Sequence, residues 1–253
     1  MRQGHLLAAA VSIVLPSLGF AQVLFDQPPQ SPAGLATSCW WEPDDSDYDI
    51  HCWDSFILPA GGTINEVRWR GGYEYGGSYG KVTGFVIGFW PSNPIYGGEP
   101  DLYAEPVEYE VRGLAGEHFV GTFNGIQMFE YSMTIDPGFV AEPGVKYWIK
   151  ILGSKTNIPD WGVAWGTGGN GAHFRWIRGY HQYFSYPHDL AFTLLGERPC
   201  SADFNSDGAV NTLDVLAFLN AWGSGDPRGD FNGDGAINTL DVLAFLNAWS
   251  AGC

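Results

Sequence analysis

A stretch of twenty residues occurs twice near the C-terminus. DFNSDGAVNTLDVLAFLNAW, from Asp203 to Trp222, returns 27 residues later as DFNGDGAINTLDVLAFLNAW, from Asp230 to Trp249, with changes at Ser206/Gly233 and Val210/Ile237 alone. A unit this short cannot bury an apolar face by itself, so tandem copies must pack on each other. Within each copy the oxygen-bearing residues fall at the positions of a twelve-residue calcium loop. Asp203, Asn205 and Asp207 stand at positions 1, 3 and 5, Gly208 at the sharp turn, the Ala209 carbonyl at 7, Asn211 at 9 and Asp214 at 12. The second copy repeats the set with Asp230, Asn232, Asp234, the Ala236 carbonyl, Asn238 and Asp241. Three carboxylates, two amides and a carbonyl suit Ca²⁺, a hard cation that wants six to eight oxygens; zinc prefers nitrogen and sulfur. Two Ca²⁺ ions are therefore expected in this tail.

After each loop the period turns helical. Val215, Phe218, Leu219 and Trp222, and likewise Val242, Phe245, Leu246 and Trp249, make one apolar stripe per helix. Asn211 with Asp214, and Asn238 with Asp241, have the spacing of helix caps. Pro199 and the GSGDPRGD segment from Gly223 to Asp230 leave no room for a helix before either loop.

The duplicated motif resembles a dockerin, the paired calcium-loop-helix unit by which exported bacterial proteins dock onto cohesin domains. The resemblance covers about Cys200 to Cys253 and is closest to the type ending in Gly-Cys, here Gly252-Cys253. It implies a cohesin-like or cell-surface protein as partner. Dockerins commonly contact cohesin through small hydroxyl residues at loop positions 10 and 11. Those positions hold Thr212-Leu213 and Thr239-Leu240 here, which makes these four the expected docking residues.

At the other end of the chain, Arg2, the apolar stretch from Leu6 to Leu15 and Gly19-Phe20-Ala21 read as a secretory signal peptide over residues 1–21, with a mature chain from Gln22. No later stretch reaches the apolar length of a transmembrane helix. Export favours disulfides, and four cysteines allow three connectivities. Bracketing favours Cys39 with Cys52, around an acidic loop, and Cys200 with Cys253, around the repeat. With 12 basic against 28 acidic side chains the net charge is −16, which excludes nucleic acid as a default partner.

Residues 22–198 read as one domain and 199–253 as the dockerin-like module. Between Gln22 and Arg198 the segments are short, alternating and bounded by turns. Strands are expected at Thr63–Arg70, Val82–Trp90, Val107–Val111, His118–Phe123, Met128–Ile135, Val145–Ile151, Trp161–Trp165, His173–Ile177 and Leu190–Leu195. The fold class is therefore mainly β, a two-sheet sandwich of jelly-roll type, with a small α-helical calcium-binding module after it. The segments WDSFILPAGGTINEVRWRG and DLAFTLLGE also resemble β-sandwich modules of exported bacterial proteins.

Signals of catalysis are thin. Gly76-Gly77-Ser78-Tyr79-Gly80 has the letters of a nucleophile elbow, but KVTGFVIGFW follows it as a strand where a helix is required, so Ser78 reads as a loop residue. His51, His118, His173, His181 and His188 show no metal-binding spacing. The acidic run Glu42, Asp44, Asp45, Asp47, Asp49 and Asp54 reads as a solvated loop. Its alternatives are a third calcium site in the sandwich, ligated from Asp44, Asp45, Asp47 or Asp49, and a carboxylate pair for acid/base work.

Aromatics are in surplus, with 11 Trp, 12 Tyr and 16 Phe. Tyr73, Tyr75 and Tyr79 among glycines, and Tyr180, Tyr183 and Tyr186 in RGYHQYFSYPHD, are placed to stack on sugar rings if they lie in loops. The expected function is that of a secreted, non-catalytic display or glycan-binding sandwich tethered by a calcium-dependent tail. A dockerin-borne polysaccharide hydrolase and a structural surface component are the alternatives.

Overall fold

A computed structural model describes residues 22–41, 49–74, 81–102, 109–113, 115–180, 182–207 and 209–252. The expected leader, Asp44, Asp45, Asp47, Tyr75, Ser78, Tyr79, His181, Gly208 and Cys253 lie outside them. The chain forms two compact units, Ala21–Pro199 and the tail from Cys200.

The first unit is built from fifteen described strands. They are β1 (Gln22–Gln27), β2 (Leu35–Thr37), β3 (Cys39–Trp41), β4 (Ile50–Ile57), β5 (Gly62–Tyr73), β6 (Gly84–Pro91), β7 (Tyr109–Gly113), β8 (His118–Phe123), β9 (Ile126–Ala141), β10 (Lys146–Lys155), β11 (Trp161–Gly166), β12 (Ala172–Ile177), β13 (Gln182–Pro187), β14 (Asp189–Leu190) and β15 (Phe192–Glu197). Eight of them make one sheet, in which β1, β15, β5 and β11 lie side by side, β9 also pairs with β5, and β8 pairs with β9. The other seven run in the order β13-β12-β4-β3-β10-β6-β7. Each of the nine expected strands has a counterpart.

The two sheets share one core, which makes a sandwich. Ile64, Val67, Trp69, Tyr131, Met133, Phe192 and Leu194 of the first sheet meet Phe56, Phe85, Ile87, Phe89, Ile149 and Ile151 of the second. Strand β9 shows how alternation writes this layer: Tyr131, Met133 and Ile135 are buried while Glu130, Ser132 and Thr134 between them face water. Strand β10 lacks that alternation, because nearly all of it is buried. On the outer face of the second sheet Trp53, Trp90, Trp148 and Phe174 form a second cluster, with Leu102 and Trp176 against it. The ammonium groups of Lys146 and Lys150 lie 4.5 Å from the ring centres of Trp148 and Trp90, and the lysine stems help close this layer. The outer face of the first sheet is open and polar at Glu130, Ser132 and Thr134, and is covered where Met128 packs with Ala164 and Ala191.

The expected Cys39–Cys52 disulfide is not present; both are free, buried thiols. Register explains why. Cys39 pairs with Ile50, which puts Cys52 two residues further along β4, on a diagonal where Cβ atoms stand roughly 7 Å apart, beyond the span of a disulfide. The Cys52 thiol instead donates to the Thr37 carbonyl at 2.9 Å, and burial pushes it up to about 12. Cys200 is disulfide-bonded.

In the second unit, α1 (Thr212–Ser224) and α2 (Thr239–Ala251) each follow a loop. Both open with a capping box: the Asn211 side chain accepts from Leu213 N–H and Asp214 reaches back to the Asn211 N–H, and Asn238 with Asp241 does the same. Phe218 and Phe245 stack at 4.3 Å and are fully buried. Leu219 and Leu246, expected in the buried stripe, are exposed instead. The helix-to-helix seam is only as wide as the Phe218/Phe245 stack edged by Phe204 and Phe231, so it does not reach the next leucine.

Candidate metal loops and docking face

The two loops of the tail have nearly the same internal wiring. In the first, Asp207 N–H donates to Asp203 Oδ1 at 3.0 Å and to Asn205 Oδ1 at 2.9 Å, and Asn205 N–H donates to Asp214 Oδ1 at 3.2 Å. In the second, Asp234 N–H donates to Asp230 Oδ1 at 3.1 Å and to Asn232 Oδ1 at 2.9 Å, and Asn232 N–H donates to Asp241 Oδ1 at 3.1 Å. The amides of Asn211 and Asn238 donate to the Ala209 and Ala236 carbonyls at 2.9 Å in both. Sharp reversal at position 6 is visible at Gly235, with φ +85°. Position 4 is also left-handed, at φ +72° for Gly233 and +59° for Ser206, so one of the two differences between the copies falls where glycine is the unstrained residue.

Ten of the twelve residues expected as ligands belong to two matching loops that precede the helices, and the other two, Asp214 and Asp241, stand in the first helical turns. Asp214 and Asp241 are fully buried at the helix starts. Burial raises the Asp214 carboxyl, but backbone N–H donors from Asn211, Asn205 and Phe204 outweigh it and hold the group below the ordinary range. Backbone donation, led by Asn238, lowers Asp241 in the same way. Among the described residues no three carboxylate, imidazole or thiol groups stand together as a metal cage. The fit to calcium is one of donor chemistry: each loop offers oxygen alone, and its three carboxylates have no Lys or Arg within the repeat to balance them, the single basic residue after Cys200 being Arg228. Arg228 is paired with Asp226 at 2.8 Å.

The units interlock reciprocally. Trp222 Nε1 donates to the Asn238 carbonyl at 2.7 Å and Trp249 Nε1 to the Asn211 carbonyl at 2.9 Å, so each helix ends on the other's cap. That exchange, with the Phe218/Phe245 stack at its centre, gives the tail a pseudo-twofold. The chain matches no family model and no curated protein.

Thr212, Leu213, Thr239 and Leu240, expected to dock a partner, are exposed at the first turns of the helices. The surface they begin is larger than the resemblance implied. Leu216 and Leu219 on α1, with Leu243 and Leu246 on α2, are also 41–58% exposed. The signal for it was the spacing of Leu213, Leu216 and Leu219, three apart on a second face of the helix, beside the stripe that holds Phe218.

The body's sequence candidates fare differently. Tyr73 does not stand in a loop; it ends β5, is 3% exposed, and its hydroxyl bonds Glu117 under the Lys155 ammonium. It is a core ring and is withdrawn as a glycan contact. Tyr183 is exposed on β13, and Tyr186 on the same strand lies under the Arg175 guanidinium at 4.7 Å. In the acidic run, Asp49 is buried with its oxygens engaged, one accepting from Trp41 N–H at 2.9 Å and the other from Arg178 at 3.3 Å. That makes it a structural ion pair and removes it from the ligands of a third calcium.

Asp54, at the end of the same run, is not in a solvated loop. It is fully buried on β4, where Leu190 N–H, Ser55 N–H and the Gln27 amide donate to it at 2.6, 2.7 and 2.8 Å. Burial raises its carboxyl to about 7 against the pull of those donors, with the Asp189 charge adding to the rise. Such a value suits a general acid, but no substrate can reach a side chain that is wholly enclosed. Asp189 is likewise buried and holds the Gly169 and Gly171 amides at 3.0 and 2.7 Å. This pair shapes a turn.

Proposed function

We propose that the protein is a secreted, non-catalytic two-part molecule: a jelly-roll sandwich that displays or binds glycan, and a dockerin-like tail that folds around two Ca²⁺ ions and docks on a cohesin-like or cell-surface partner. The observation that carries this reading is the reciprocal lock between two matching loop-helix units. Each loop is wired to one helix cap and each cap is held by the other unit's tryptophan, so loop geometry and the leucine face stand or fall together.

Calcium, when bound, supplies the positive charge that six loop carboxylates lack. Asp203, Asn205, Asp207, the Ala209 carbonyl, Asn211 and Asp214 would hold one ion, and Asp230, Asn232, Asp234, the Ala236 carbonyl, Asn238 and Asp241 the other. The residues themselves cap the helices and orient Leu213 and Leu240 toward a partner. Among the described residues no helix is long and apolar enough to cross a membrane. A binding role for the sandwich is favoured over hydrolysis because Asp54, whose carboxyl burial raises to about 7, is wholly enclosed.

Calcium titration of the full chain tests the reading. Calorimetry should count two ions, and chelator should shift the melting of the helical circular dichroism signal. A chain that takes up no calcium and melts identically in chelator would refute it.

A further inference from the structure

The outer face of the first sheet carries a built recess of about 510 Å³ that no sequence motif announced. Its floor is four paired strands, β15, β5, β9 and β8, and their register lines up functional groups in rows. Thr193, Arg68 and Ser132 stand opposite one another in one row. Arg70, Glu130 and His118 make the next. Neighbours within a row are about 4.8 Å apart and successive rows on one strand about 7 Å apart.

The charges are preorganised. Arg68 Nε donates to Glu66 Oε1 at 2.6 Å and Arg70 Nη2 to Glu130 Oε1 at 2.5 Å, so two guanidinium and two carboxylate groups balance. Thr193 is turned by its own bond to Asp26 at 2.6 Å on β1. Beyond Arg70 a smaller recess of about 170 Å³ continues past Pro29 to Phe123, whose ring is 41% exposed.

The geometry points to this recess as the binding site for a neutral oligosaccharide laid across the strands. This rests on the reading of the sandwich as a glycan-binding module and gives it a location, away from the tyrosines that sequence suggested. The two ion pairs cancel and the exposed Asp26 beside Thr193 adds one negative charge, so the face offers no attraction to an anionic ligand, while every row presents both donors and acceptors, as vicinal hydroxyls require. Within the floor the backbones of β15, β5 and β9 are paired on both sides, so ligands on this face meet side chains there. Five strands from β1 to β8 span roughly 19 Å, room for several sugar rings. Phe123 offers an apolar face at one end.

Glu66 pairs in register with Thr134, four residues along β9 from Glu130, which sets the backbone positions of the two glutamates roughly 14 Å apart.

The test titrates the full chain with cellohexaose, xylohexaose, mannohexaose and, as a charged counterpart, trigalacturonate. At least one neutral hexasaccharide should bind, and Arg70→Ala and Glu130→Gln should each weaken it about tenfold. Tyr183→Ala, on the other sheet, should leave it unchanged. Should Arg70→Ala fail to fold, Glu130→Gln and Thr193→Ala carry the test. Binding that survives the groove variants overturns this site and spares the glycan reading; binding of trigalacturonate alone overturns the neutral class; no binding at all overturns both.

Discussion

Replacing Asp54 by Asn should change how the sandwich responds to pH, because a buried carboxyl titrates against one buried and one half-buried histidine. Burial pushes His173 down to about 4; its Nδ1 bonds the His188 carbonyl at 2.8 Å while its buried Nε2 has no partner to receive a second N–H. Burial also pushes His51, edge-on to Trp176 at 4.9 Å, down to about 3. Below the unfolded histidine pKa the unfolded chain takes up protons that these rings refuse, so each costs stability as pH falls toward its folded value. Asp54 works the other way. Its folded pKa of about 7 lies above the unfolded 3.8, so its stability is fully present at low pH and is lost as pH rises through that interval.

One proton is worth about 1.4 kcal/mol per pH unit. Between pH 4.5 and 6.0 the two histidines raise stability and Asp54 cancels one of them, leaving a net rise of about 2 kcal/mol for these groups. Asp54→Asn removes the cancelling proton, and the rise becomes about 4 kcal/mol. The Asn side chain can still accept from Leu190 N–H, so the fold is retained, and the comparison uses slopes alone; all other groups contribute equally to both proteins. Urea unfolding followed by tryptophan fluorescence at several pH values measures the difference. Equal slopes in the two proteins would show that Asp54 is already ionised in the folded state and would refute the argument.

Three further outcomes are expected. Ser206→Gly, which relieves a left-handed residue that the other repeat already fills with glycine, should stabilise the tail by about 1 kcal/mol, read as a higher melting temperature of the helical signal; a decrease would show that Ser206 contributes something its backbone does not. The unfolded, unreduced chain should react with two equivalents of a thiol reagent, from Cys39 and Cys52, and the native chain with neither; no reaction after unfolding would restore the disulfide. Leu213→Asp or Leu240→Asp alone should weaken capture of a tail partner far less than the double change, since the pseudo-twofold presents the same face twice; loss of all binding in one single variant would reveal a single orientation.

What could be read from the chain alone was whatever depends on neighbours in sequence. The caps at Asn211 and Asn238 were legible because a capping box spans four residues, and strand β9 because one of its faces meets water and writes an alternating pattern. Strand β4 was not legible: from Cys52 to Phe56 it is covered on both faces, so its buried Asp54 and half-buried His51 looked like part of an acidic loop. Strand β13 was hidden for a related reason, its tyrosines being spread over a short edge strand punctuated by His188 and Pro187. The tertiary structure alone decided that Cys39 meets Ile50 and misses Cys52, that Tyr73 is core, and that Leu216 and Leu219 are left outside the Phe218/Phe245 seam. It also assembled the row of Arg70, Glu130 and His118 from three strands. Pairing register and the width of a packed seam are properties of surfaces brought together across long stretches of chain, and no local pattern of residues encodes them.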